Sequence, residues 1–184
     1  MEETLTPMEI KEQIEQMKEF ETGWSSYLAL STAIIAVFAA LASFQAGNYV
    51  DQSLLAKNDA TLNQAKASDQ WSYYQAKGVK FNIADSFANY TGRPSFKDQA
   101  NKYAKDQEEI QKSAKEFEAK VIESNDKSEI LFEKHHKISL AVTFLQIAVA
   151  LSAISALLKR KSFWYFSILT TLVGLIFFLI GLMM

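Results

Sequence analysis

His135 and His136 are the two histidines of a 184-residue chain that has no cysteine. Adjacent residues on a helix diverge by ~100°, so this pair cannot hold one ion as two histidines spaced four apart do. His135 falls on an apolar seam and His136 turns away from it. The pair reads first as an ordinary contact at a boundary, and second as a boundary contact that responds to pH, since imidazole titrates near neutrality. Without cysteine there is no disulfide, thiolate nucleophile or cysteine-bound metal. The carboxylates scatter over polar helical faces, and no nucleophile stands beside a base. The expectation is a chain with no catalytic residue, no metal and no cofactor.

Gln146 is the large polar side chain deep inside an apolar run, with Ser139 and Thr143 on the turns before it. An amide at such depth either hydrogen-bonds a neighbouring helix or lines a polar path through an assembly of several copies. The apolar runs hold no ionisable group, which argues against an ion-coupled carrier.

These residues belong to three charge-free blocks: Trp24 to Ala46, Ile138 to Leu158 and Phe163 to Met184. Each is long enough to cross a bilayer, which takes about 20 mostly apolar residues. The first follows an acidic tail rather than a basic one, so it is not read as a cleavable signal. That tail, residues 1–23, is expected to form an amphipathic helix. Its start signal is Thr6 to Glu9, with Pro7 at the first helical position, and its apolar face is Ile10, Ile14, Met17 and Phe20. Its glutamate-rich polar face suits packing against protein better than against anionic lipid.

Between the first two blocks lie residues 47–137, broken by one strong turn signal at 89–95, NYTGRPS, which holds one of the two prolines and one of the six glycines. After the turn, Ala100, Tyr103, Gln107, Ile110, Ala114, Phe117 and Val121 begin a three-four spacing that continues through His135 to Ile138, a heptad seam. Before it the seam is weaker: Leu55, Leu62 and Ala65, then Trp71, Tyr74 and Phe81. At ~1.5 Å per residue each arm would reach ~60 Å. The expected fold is an all-α membrane protein: three transmembrane helices, with a long, coiled-coil-like antiparallel helical hairpin inserted between the first and second. Acidic and basic residues balance over 47–137, so nucleic acid is not an expected partner.

Lys159, Arg160 and Lys161 join the second and third blocks, and short basic loops favour the cytoplasm. Trp24, Tyr27, Trp164 and Tyr165 would form an aromatic belt on that same face. The favoured orientation puts the N-terminus and loop 159–161 inside, and the hairpin and C-terminus outside. Lys134 and Lys137 oppose it.

Two stretches, LNQAKASDQWSYYQAKGVK from Leu62 and KHHKISLAVTFLQIAVALSAISALLKRKSFWY from Lys134, resemble the bacterial membrane family called domain of unknown function 4337. The resemblance runs from about Trp24 onward. It implies a bacterial inner-membrane protein of this layout and carries no activity. It also suggests that Trp71, Tyr73 and Tyr74 make a contact the hairpin needs. The resulting expectation is a non-enzymatic protein in the lipid bilayer. It would self-associate through its hairpin and small-residue membrane faces into a homo-oligomeric scaffold or partner-binding assembly, with a protein partner on the hairpin or N-terminal helix. The alternative is an oligomeric pore lined by Gln146, Ser139 and Thr143.

Overall fold

The computed structural model describes residues 7–184, apart from the side chains at 9, 13, 16–17 and 19–22. The start signal at Thr6 to Glu9, and the side chains of Met17 and Phe20, lie outside the described residues. The chain is all-α, in four helices: α1 Pro7–Thr22, α2 Trp24–Thr91, α3 Pro94–Leu158 and α4 Lys161–Met183. No strand occurs among the described residues. The helices α2, α3 and α4 each hold a segment long and apolar enough to cross a membrane. Only 17%, 28% and 17% of these apolar windows is buried within the chain, so their outward surface calls for an apolar surrounding.

Two left-handed residues end the long helices. Gly92, at φ +65°, stops α2 at no steric cost, and its amide donates to the Ala88 carbonyl at 2.9 Å. Pro94 then opens α3, because its fixed φ suits the first helical position. The break is thus narrower than 89–95. Lys159, at φ +51°, ends α3.

The chain divides into two compact units, residues 1–49 with 133–184, and residues 50–132. In the first unit Ile35, Ala42 and Ala46 of α2 pack with Ile138, Leu145 and Ala148 of α3. Helix α4 joins them through glycine. A Cβ on Gly181 would stand 2.5 Å from Ile138 Cγ1, and one on Gly174 would stand 3.0 Å from Leu145 Cγ. Buried hydroxyls are satisfied locally: Ser167 donates to the Ala148 carbonyl at 2.8 Å and sits 2.7 Å from Ser152 Oγ.

In the second unit the α3 seam lies where the spacing predicts. Ala100, Ile110, Ala114 and Ser128 are buried, and Tyr103, Gln107, Phe117 and Val121 half-buried. The α2 face differs from the expected one at Leu55, Leu62 and Ala65, while Trp71, Tyr74 and Phe81 are half-buried as the spacing predicts. Ser53, Ala56, Ala60, Ala67 and Ala84 are buried, whereas Leu55 and Leu62 are 63% and 54% exposed. Small residues allow close helix approach, and α3 supplies the bulk. Within this unit partners pair as Ser53 with Ser128, Lys57 with Asn125, Trp71 with Glu118, Lys77 with Asp106 and Phe87 with Phe96.

The glycine contacts make a paired prediction for the detergent-solubilised protein. Gly181→Ala should lower thermal stability by about 1–3 kcal/mol through overpacking on Ile138. Gly47→Ala, whose Cβ meets nothing within 4 Å, should raise it by about 0.5–1 kcal/mol.

Candidate functional site

The aromatic group of the sequence signature forms a layer in residues 50–132. Trp71 Nε1 donates to Glu118 at 2.8 Å, and its ring meets Tyr74 edge-on, centroids 5.5 Å apart. Tyr73 borders the layer from its open side. It is half exposed, and its ring stands 5.3 Å from Lys77 Nζ. Lys77 is the hub of the layer, 2.7 Å from Asp106 Oδ2 and 5.4 Å from the Tyr103 ring centroid. Next to it, Gln107 Nε2 donates to the Tyr74 carbonyl at 3.4 Å. The approach needs Gly78, where a Cβ would stand 2.9 Å from that nitrogen. The sequence reading named Trp71, Tyr73 and Tyr74 but missed Lys77 and Asp106. Their signal is heptad position: Lys77 follows Tyr74 by three residues, on the buried face of α2.

A second layer holds Ser53 against Ser128. Ser53 Oγ donates to the Ser128 carbonyl at 2.9 Å, Ser128 Oγ donates to the Ser53 carbonyl at 3.0 Å, and the hydroxyls are 3.1 Å apart. A slip of one heptad would leave buried hydroxyls and carbonyls unmatched, at about 1–3 kcal/mol each. The serines therefore fix register.

Outside these layers, α2 carries another face. Leu55, Leu62, Tyr73, Ile83, Phe87 and Tyr90 are 50–89% exposed. Leu55, Leu62, Ile83 and Tyr90 share one sevenfold position, and Phe87 lies one turn from Ile83 and Tyr90. They form two apolar patches, at 55–62 and 83–90, separated on that position by the exposed Asp69. Thr61, Ser68, Gln75 and Asn82, at sevenfold spacing on the far side, are polar and exposed. Solvent thus meets a polar face and an apolar one on the same helix.

In the other unit, His135 Nδ1 lies 2.9 Å from the Ala46 carbonyl and Nε2 lies 3.3 Å from Ser139 Oγ. A carbonyl only accepts, so Nδ1 carries a proton, and in the neutral ring Nε2 accepts from Ser139. His136 is exposed and shares neither contact. Among the described residues no cluster of metal-ligating side chains occurs. Thr143 Oγ1 donates to the Ser139 carbonyl at 3.0 Å. Thr143 and Gln146 are exposed while Ser139 is half-buried, so the three expected path residues do not form one open surface. Trp164 Nε1 donates to Ser31 Oγ at 3.0 Å, with Tyr165 5.3 Å from its ring. Tyr27 is exposed, Trp24 and Lys159 line one groove, Arg160 accepts from Ser155 Oγ at 2.8 Å, and Lys161 opens α4.

The Lys77–Asp106 pair makes a pH prediction. The hydrogen bond from Lys77 holds the Asp106 carboxyl below its ordinary 3.8, and the bond to Asp106 holds the Lys77 ammonium above its ordinary 10.5. The carboxylate contributes stability above pH 3.8, which is lost as pH falls through its lowered folded value. The ammonium contributes stability below pH 10.5, which is lost as pH rises through its raised folded value. Thermal melts followed by circular dichroism should show both losses, and Lys77→Met with Asp106→Leu should remove that share of each.

Comparison with curated proteins and with solved structures finds no match. A family profile does match, over residues 24–184, which takes in all of α2, α3 and α4 and both polar layers. The chain belongs to the family described as Domain of unknown function (DUF4337).

Proposed function

We propose that the chain is a multi-pass membrane protein of the bacterial inner membrane that self-associates into a non-enzymatic scaffold. On this reading α2, α3 and α4 cross the bilayer, and residues 50–132 form an antiparallel, coiled-coil-like hairpin in water. The N-terminus and Lys159 to Lys161 face the cytoplasm, and the hairpin and C-terminus face outward, as the basic loop favours.

The observation that carries the proposal is the pair of exposed apolar patches on α2. Leucine, isoleucine, phenylalanine and tyrosine side chains at 55, 62, 83, 87 and 90 are at least half exposed, on a segment whose far side is polar. Burial is favourable by roughly 25 cal/mol per Å² of apolar area, and exposed apolar patches mark interaction surfaces. Anchored copies stand side by side in one orientation, so the same patches on a neighbour are always at matching height. Membrane anchoring thereby favours homotypic pairing over a soluble partner.

A pore is the second reading, favoured by the exposure of Thr143 and Gln146 on α3. The engagement of Ser139 with His135 weakens it.

The mass of the complex in native lipid particles should be a defined multimer. Leu55→Asp with Leu62→Asp should shift it toward smaller species, and a wild-type monomer at every concentration contradicts the proposal. Because the chain has no cysteine, Gly92→Cys reports sidedness. An impermeant maleimide should label it from outside in intact cells, and labelling only after lysis would reverse the orientation.

A further inference from the structure

Gln146 is exposed on α3 inside an apolar segment, and among the described residues no hydrogen bond reaches its amide. Thr143, one turn away, satisfies its hydroxyl on its own helix. The glutamine amide carries two donors and an acceptor, and lipid tails offer neither. Ala150 and Ala153 follow Gln146 by four and seven residues and are also exposed, so another helix can come close along this face. Ala153 also borders a groove of about 750 Å³, whose opposite wall is Ala29, Ala33 and Ala36 of α2. The helix contacts within the chain use a different face of α2, that of Ile35, Ala42 and Ala46.

We infer that Gln146 pairs with Gln146 of a second copy, amide to amide, with the partner's α3 lying over Ala150 and Ala153. The inference rests on the self-association reading and names the contact that reading requires within the bilayer. An amide complements itself: each group donates to and accepts from its twin across a two-fold axis. Copies inserted with one topology carry Gln146 at the same depth, so the twin is present wherever two copies meet. In a pore Gln146 would instead face water, and its loss would leave assembly unchanged.

The test uses full-length protein in native lipid particles. Gln146→Leu should weaken association by about 3- to 30-fold, the range for interhelical hydrogen bonds in lipid, and Gln146→Asn should restore part of it. Gln146→Cys should form an inter-copy disulfide under mild oxidation, and Ile147→Cys, ~100° around the helix, should not. A multimer in which Gln146→Leu associates as wild type, or in which position 147 cross-links and 146 does not, overturns this inference and leaves the patches at 55–62 and 83–90 to account for assembly. A monomeric wild type overturns both.

Discussion

Close approach of α2 to α3 is the constraint on which the rest depends. From Ser53 through Ala56 and Ala60 to Ala67, the fully buried residues of α2 are alanine and serine, with bulk from Ile110, Phe117 and Val121 of α3. Beyond Ala67 the half-buried Trp71, Tyr74, Lys77 and Phe81 of α2 join the interface. Leu55 and Leu62 of that helix are exposed instead.

The same economy of volume holds in the unit of residues 1–49 and 133–184. Gly174 and Gly181 let α4 approach Leu145 and Ile138, while serines settle their hydroxyls on one another or on nearby carbonyls, as Ser167 does with Ser152 and Ala148. Such packing leaves most of each apolar segment facing outward, as suits a lipid surrounding. Gln146 is a polar side chain left at that surface, where a further contact is proposed. In residues 50–132, the serine layer and the Lys77–Asp106 layer add selectivity of register, since polar partners match in one alignment.

Much of this was legible in the sequence. The three apolar blocks, the break at Gly92 and the α3 seam from Ala100 to Ile138 follow from composition and period, because bulky apolar residues at heptad spacing are a strong signal. The α2 seam was legible by the same rule only in its second half, where Trp71, Tyr74 and Phe81 are half-buried. Reading the largest apolar residues as the buried ones selected Leu55 and Leu62, which are exposed, and passed over Ala56, Ala60 and Ala67, which are buried. Hydrophobic periodicity reports that a helix has an apolar face, not which of two faces meets its neighbour within the chain. Trp71 and Tyr74 were legible as contacts. Their ionic neighbours were not, because a charged pair at a heptad position resembles a solvated surface until the facing helix is in place.

The account stands or falls on whether α2 uses both faces. A cysteine scan of α2 in native membranes, read by the rate of labelling with a water-soluble maleimide, tests this most directly. The account predicts three classes: slow labelling on the alanine seam at 56, 60 and 67, slow labelling on the apolar patches at 55, 62 and 83, and fast labelling on the polar side at 61, 68 and 75. If the patches label as fast as the polar side, they are open to water, and no second copy covers them.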